Sequence, residues 1–596
     1  MRKPAGSPVP GAALLTLLAA TFVLTRWPFW QHLQINPDAM SYWAAGRELA
    51  HGHGLVWPIK PYFYPDDGRT AQPAIGRLSI TFTILLCGLE ASGAGFRSAT
   101  IFLGLLALLD AWFVYAIARN LCGRLLAAVA AVLFVANPTL VQASTTLWTE
   151  PLALAFVLGA YLLAARWLAA KDRARWPVVV CGMLLGVGYV TRPGDLVYFA
   201  AIAIGTALVG QWRRIGLIVI GFAVSAVPYW TANTMVNGSP SYTMYSLLTR
   251  TVFYGSAMYT GFNRTYPPTG ELLRRHAPEI AAQVLRNVAL CWQVLSRAAN
   301  LGIVATAAAV VILFAGCVSI RKRRPIWPRN GVSPGQIGFA VSLLLGGAFN
   351  LLSAFAVWST HEEERFLLGT WALFLVICFA LLNVLRCIFP ENPACSNSGS
   401  RQGHRQGRLR YWRRVLASHP VPRSAPAALI GIAIGVAALQ ASAATICRDA
   451  ATLSSRHGKS WREALCERYE PACRIIRQRS SPSDVVAGSD PWMVNYLSNR
   501  PTVLLPALQP GEIDSFLTRY RVKWIAADPA RMPSPADQDD FGAEALSSWR
   551  SRDWRLVRLR KSVRLQEIPL PERATSLRLY RVIDQQPSAG SKVPAG

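Results

Sequence analysis

Long apolar runs separated by short basic segments make up most of the chain. A helix needs about 20 apolar residues to cross a bilayer. Runs of roughly that length lie near residues 9–30, 97–118, 124–143, 149–168, 176–192, 195–212, 214–232, 297–319, 336–358, 365–386 and 425–446. This pattern predicts an α-helical polytopic membrane protein with about 11 transmembrane helices and additional interfacial helices.

A shorter apolar run, 74–90, contains Arg77 and is either a twelfth span or a helix at the membrane interface. Cytoplasmic loops carry an excess of Lys and Arg, and this bias separates the two alternatives. If 74–90 does not cross, the basic clusters all fall on the cytoplasmic side, namely Arg2/Lys3, Arg119/Arg124, Arg166–Arg175, Arg213/Arg214, Arg321–Arg324 and 401–414. We therefore predict that 31–96 is one long extracytoplasmic loop, and that Asp38, Glu150, Arg192, the 233–296 loop and His361–Arg365 share the outer side.

The region after the last apolar run is polar and has a shorter pattern. Apolar runs at 484–487, 502–505 and 522–527 alternate with helix-like stretches such as 513–520, which is typical of a small α/β domain. The sequence predicts a transmembrane domain over 1–446, an extracytoplasmic α/β domain over 447–585 and a disordered Ser/Pro/Gly/Lys-rich tail over 586–596.

Composition narrows the function classes. Hydrophobic residues make up 52% of the chain and charged residues 16%, and many of the residues behind the net charge of +29 lie in short loops. This distribution follows membrane topology, so nucleic-acid binding is not indicated. The 11 cysteines include no C-x-x-C pair, which argues against a thiolate metal centre. Cys466 and Cys473 lie in a polar segment, where a disulfide requires an oxidising compartment.

Three acidic clusters border apolar runs: Asp38, Glu150 and His361-Glu362-Glu363-Glu364-Arg365. Taken singly, Asp38 and Glu150 are equally well explained as groups that stabilise helix N-termini. The third cluster crowds five ionisable residues at the mouth of a span, where each must be solvated, paired or bound. All three on one side would suit chemistry on the head group of a lipid-held substrate.

Such chemistry needs a carboxylate as general base on an acceptor hydroxyl and a cation to neutralise a departing phosphate. Arg365 is the favoured cation, and Arg192 in Thr191-Arg192-Pro193-Gly194, Lys60 and Arg69 are weaker candidates. Each of these cations is also explained by anchoring at the membrane interface.

Residues Asp38-Ala39-Met40-Ser41-Tyr42 and Thr149-Glu150-Pro151-Leu152, with the long first loop and the polar C-terminal region, resemble the GT-C superfamily of polyprenyl-phosphate-sugar-dependent glycosyltransferases. The layout is similar to that of protein O-mannosyltransferases and the lipid A aminoarabinose transferase. This resemblance implies that Asp38 is the catalytic base and that Glu150 shapes the site. Many relatives carry two adjacent acids where this chain has Asp38-Ala39, so no metal ligand set is predicted, and the question of a divalent ion stays open.

The stretch His361 to Leu367 is similar to the His-Lys-Glu-x-Arg-Phe motif of mannosyltransferases that use dolichol-phosphate-mannose, with Glu362 in place of the usual Lys. A phosphate-binding role is therefore not carried over to position 362. The resemblance implies that Arg365 and His361 hold the phosphate. Glu364, Arg192, Lys60, Arg69 and Tyr42 complete the candidate substrate-binding set.

The resemblance implies an inverting, multi-pass glycosyltransferase of the bacterial plasma membrane. It would move mannose, another hexose or a pentose from a polyprenyl-phosphate donor to a lipid, glycan or protein acceptor at the extracytoplasmic face. One alternative is a transporter or flippase of lipid-linked sugars, which would place ionisable residues in mid-span, where Asp110 is the main one. Another is a non-catalytic membrane scaffold, which would need neither Asp38 nor Glu150.

Overall fold

Apolar helices occupy most of the predicted spans in the computed structural model. The structure describes residues 11–32, 35–61, 69–168, 174–243, 271, 274–279, 281–282, 334–357, 367–383, 425–454, 461–505, 512–528, 565–571 and 577–583. Within these ranges, five helices are long and apolar enough to cross a membrane, or six if one bent pair counts as a single span. The run 297–319 lies outside the described residues, so the number of 11 spans stays a prediction.

The helices of the apolar part are α1 (Gly11–Trp30), α2 (Pro37–Ala50), α3 (Ile80–Ala91), α4 (Phe96–Cys122), α5 (Arg124–Val135), α6 (Pro138–Thr145), α7 (Glu150–Leu168), α8 (Trp176–Thr191), α9 (Leu196–Leu208), α10 (Trp212–Asn237), α11 (Pro334–Val357), α12 (Leu368–Asn383) and α13 (Ala425–Ser454). A 3-10 turn, Pro193–Asp195, joins α8 to α9. One continuous apolar core connects α1, α4, α5 and α7 with α8 to α12.

Helix α3 covers most of the apolar run whose crossing decides the predicted topology. Its 12 residues extend about 18 Å, which is short of the roughly 30 Å hydrocarbon core. The helix packs closely along α2, where a Cβ atom at Gly46 would lie 3.0 Å from the Cβ of Leu86. The non-crossing of this run stays a prediction, since α9, which occupies a predicted span, has only 13 residues.

The span predicted over 124–143 is two helices instead of one. Helix α5 ends at Val135 and α6 begins at Pro138, with a bend of 52° between them. Pro138 lacks an N–H and disfavours helical backbone at the preceding residue, so Asn137 is extended with φ −63° and ψ 125°. The Asn137 Oδ1 accepts a hydrogen bond from the Leu140 N–H at 3.0 Å and caps α6.

The C-terminal region contains α14 (Trp461–Arg479), α15 (Pro491–Ser498), α16 (Glu512–Arg519) and most of a six-stranded sheet. Its strands are β2 (Ile59–Lys60), β4 (Val485–Gly488), β5 (Thr502–Leu504), β6 (Val522–Ala527), β7 (Leu565–Ile568) and β8 (Arg578–Val582), and β1 (Val56–Trp57) pairs separately with β3 (Gln72–Pro73). The order is β2-β5-β4-β6-β8-β7, parallel from β2 to β6 and antiparallel beyond. Strand β2 comes from the first loop, a pairing that the sequence did not predict.

Helix α2 joins the sheet to the apolar helices. Met40 and Phe82, from α2 and α3, share one buried cluster with Tyr469 and Trp524. The Trp492 Nε1 donates to the Ser41 Oγ at 3.0 Å. These contacts fix α2 from the side of the sheet.

The two cysteines of α14 are free thiols. The Cys466 Sγ contacts the Met493 Sδ at 3.5 Å, and Cys473 is fully buried. Burial, with nearby carboxylates adding to it, raises the pKa of Cys466 to about 11. The disulfide considered for this pair is therefore not formed.

Helices α8 and α10 pack with their backbones in contact, because glycine residues lie where the two helices meet. A Cβ atom on Gly221 would overlap the carbonyl oxygen of Val179, and one on Gly182 would overlap that of Ile218. Membrane helices gain close packing in this way because small residues let the backbones approach.

We expect Gly221→Ala to destabilise the protein by about 1–3 kcal/mol, since the added methyl forces α8 and α10 apart. Gly216→Ala is the matched control, because it lies on the same helix and a methyl group there would meet no described atom within 4 Å. Equilibrium unfolding in mixed micelles measures both variants. If Gly221→Ala and Gly216→Ala are equally stable, the close approach of α8 and α10 at Gly221 does not limit their packing.

Candidate functional site

Asp38 lies in the first turn of α2 and is half-buried. The helix starts here because Pro37 fixes its first turn and Asn36 caps it, with the Asn36 Oδ1 accepting from the Ala39 N–H at 2.7 Å. The capping role that would by itself explain Asp38 thus belongs to Asn36.

Glu150 and Arg192 form an ion pair between the start of α7 and the end of α8. The Arg192 Nη1 lies 3.4 Å from the Glu150 Oε1, and the side chains are 15% and 3% exposed. Such a pair needs good geometry and further polar contacts to offset its desolvation. Both residues were predicted as site candidates, but nothing in the sequence indicated that they pair.

Asp195 is a third charged residue at this point and was missed by sequence reasoning. It ends the 3-10 turn between α8 and α9, is buried, and interacts electrostatically with Arg192 and Glu150. The available signal was an acid within the Thr191–Asp195 stretch at the mouth of a span.

Two hydrogen bonds connect this cluster to α2 and α3. The Asn36 Nδ2 donates to the carbonyl oxygen of Thr146 at 2.9 Å, in the turn that leads to Glu150. The hydroxyl oxygens of Thr81 and Thr191 lie 2.6 Å apart, which ties α3 to the last residue of α8. Hydrogen bonds therefore link the start of α2 to the turn that precedes Glu150, and α3 to the residue that precedes Arg192.

The family model of dolichyl-phosphate-mannose-protein mannosyltransferases matches residues 80–231, about a quarter of the chain, which includes Glu150, Arg192 and Asp195. The fold is similar to that of ArnT from Cupriavidus metallidurans in the apo state, with a TM-score of 0.55 and 11% identity over 96% of this chain and 98% of that one. For ArnT bound to undecaprenyl phosphate the TM-score is 0.51 with 13% identity and the same coverage.

The fold is also similar to that of the Archaeoglobus fulgidus oligosaccharyltransferase tethered with an acceptor peptide. The TM-score is 0.51 and the identity 14%, over 92% of this chain and 72% of that one. No curated protein matches the sequence. The chain has a GT-C fold. The predicted resemblance to the GT-C superfamily is confirmed.

Other candidate residues lie in different parts of the GT-C fold. Tyr42 packs edge-to-face on Phe82 between α2 and α3, with ring centres 5.1 Å apart. Lys60 is buried in strand β2, its Nζ 5.4 Å from the centre of the Tyr520 ring. Arg69 is exposed on the segment before β3. Their predicted substrate-binding roles stay predictions.

His361, Glu364 and Arg365 lie outside the described residues, so the favoured phosphate ligand stays a prediction. Among the residues that the structure describes, no group of three or more His, Cys, Asp or Glu side chains could hold a metal ion. The question of a divalent ion stays open.

We expect Arg192→Met to destabilise the protein by about 3 kcal/mol or more, because it leaves the buried Glu150 carboxylate without its cation. Adding Glu150→Gln should recover part of this loss, with a coupling energy of about 1–3 kcal/mol. Equilibrium unfolding of the four proteins of the double-mutant cycle measures both terms. If the two changes in the free energy of unfolding are strictly additive, the two side chains do not interact energetically.

Proposed function

We propose that the chain is an inverting membrane glycosyltransferase that moves a sugar from a polyprenyl phosphate to an acceptor hydroxyl at the extracytoplasmic face. The observation that carries the proposal is the hydrogen bond by which Asn36, the cap of Asp38's helix, connects that helix to the turn before Glu150, which in turn pairs with Arg192. The fold supports it, because the chain is similar over 96% of its length to an ArnT structure that holds undecaprenyl phosphate.

Asp38 is the proposed general base. Its carboxylate would take the proton of the acceptor hydroxyl while that oxygen attacks the anomeric carbon. The bond from the anomeric carbon to the phosphate oxygen breaks in the same step, and the phosphate leaves with the electron pair. A single in-line displacement places the nucleophile opposite the leaving group, so the configuration inverts.

Arg365, the favoured cation, and Arg192 are proposed to neutralise the leaving phosphate, and Arg192 is the one that the structure describes. Glu150 would hold its guanidinium in a fixed orientation, and preorganised charge of this kind stabilises a developing anion without reorganisation. Arg365 and His361 would add to the phosphate site, with Lys60 and Arg69 as weaker candidates. Tyr42 and Glu364 complete the proposed substrate contacts.

The extracytoplasmic orientation rests on the basic clusters of the loops. It requires that α3, a helix of 12 residues, does not cross the membrane before Arg119. Donor sugar and acceptor class, whether lipid, glycan or protein, are to be found by screening.

We expect Asp38→Asn to lower kcat by about 10²–10⁴-fold, because the amide cannot accept the proton. The assay measures transfer from labelled polyprenyl-phosphate hexoses and pentoses to membrane acceptors. Glu48→Gln on the same helix is the control and should keep wild-type turnover, since Glu48 makes its hydrogen bond to the exposed side chain of His53. Full activity of Asp38→Asn would contradict the assignment of Asp38 as the base. If the wild type transfers no sugar from any donor, a transporter or scaffold is favoured instead.

We expect a cysteine at position 405, Arg405→Cys, to react with an impermeant thiol reagent only after the membrane is permeabilised. Ser483→Cys, at an exposed position beside the sheet, should react without permeabilisation. Labelling of the wild type gives the background from native cysteines. The opposite pattern would reverse the proposed orientation.

A further inference from the structure

Both the oxygen and the nitrogen of the Asn36 side-chain amide form hydrogen bonds. It is 4% exposed, its Oδ1 accepts from the Ala39 N–H at 2.7 Å, and its Nδ2 donates to the Thr146 carbonyl oxygen at 2.9 Å. The first bond caps α2. The second crosses to the turn between α6 and α7.

The two bonds end within a few residues, along the chain, of Asp38 and Glu150. Asp38 lies two residues after Asn36, in the turn that the cap organises. Thr146 precedes Leu147, which is fully buried in left-handed backbone with φ 56°, and α7 then begins at Glu150. A branched residue in this conformation is costly and persists only where its surroundings hold it.

We propose that Asn36 is a positioning residue that sets the distance between Asp38 and the Glu150–Arg192 pair. The inference rests on the proposed function for its catalytic consequence. Serine or aspartate would cap α2 as well as asparagine does. Neither has a side-chain N–H to donate to the Thr146 carbonyl oxygen, so capping accounts for the Asn36 Oδ1 but not for its Nδ2.

The chain contains a matched control for this role. Asn137 precedes Pro138 as Asn36 precedes Pro37, and its Oδ1 likewise caps a helix. Its buried Nδ2, however, has no hydrogen-bond partner among the residues that the structure describes. Asn-to-Ser replacement at the two positions therefore keeps a cap in both cases and removes a connecting donor in only one.

We expect Asn36→Ser to lower kcat by about 10- to 100-fold with the donor KM unchanged within about twofold, because misplacement of reacting groups by about 1 Å has effects of this size. Asn137→Ser should keep wild-type kcat and KM. Asn36→Asp, which keeps the shape and the cap, is the second variant should Asn36→Ser not fold.

Hydrogen exchange gives a readout that does not depend on turnover. In Asn36→Ser, peptides over 146–150 should exchange several-fold faster while the first turn of α2 stays protected, and in Asn137→Ser neither should change. Wild-type kcat in Asn36→Ser, a loss equal to that of Asn137→Ser, or a raised KM at constant kcat would overturn the positioning role.

Failure of the proposed function gives a different result. If Asp38→Asn is inactive and Asn36→Ser is fully active, the base assignment stands and the positioning role is overturned. If Asp38→Asn is fully active, the base assignment is overturned, and exchange over 146–150 still decides whether Asn36 restrains the turn.

Discussion

Inside a bilayer no water is available to a backbone carbonyl, so any break in a spanning helix must be satisfied by the protein itself. At the break between α5 and α6, Arg26 of α1 donates from Nη1 to the Val135 carbonyl at 2.9 Å and from Nε to the Ser144 hydroxyl at 3.0 Å. Its guanidinium is fully buried and lies over the Phe22 ring. With this interaction in place, α6 can leave the line of α5 and deliver the turn from which α7, and therefore Glu150, begins.

Helix α2 is restrained from two directions. At its start, Asn36 connects it to the α6–α7 turn. Further along, Arg47 donates to the Asn495 side chain at 3.2 Å, and burial lowers the pKa of that guanidinium while Glu48 and Glu90 oppose the shift. A carboxylate held on such a helix keeps its position better than one on a loop, because its supporting groups are themselves packed.

The sequence anticipated the elements whose signal is local. Apolar runs predicted the described spanning helices because burial in lipid requires continuous hydrophobicity, and alternating short runs predicted the positions of β4, β5 and β6. The Asn137-Pro138 pair is a signal for the helix break, but the apolar residues on both sides of it favoured the prediction of one continuous span. The Glu150–Arg192 pair and Asp195 could not be predicted, since only the packing of α7 against α8 brings them together. Strand β2 has two residues, too few for any periodicity.

Strand β2 also constrains the order in which the protein folds. Ile59 pairs with Thr502 and Lys60 with Val503, so the sheet recruits a segment translated early and a segment translated late. Ribosomal synthesis releases the first loop long before β5 exists, and contacts across such a sequence separation form slowly. The edge of the sheet therefore closes only after the intervening helices have been inserted. A nascent chain that stalls before Thr502 would leave the loop that carries Lys60 without its partner strand, and quality-control proteases would have an exposed segment to cut.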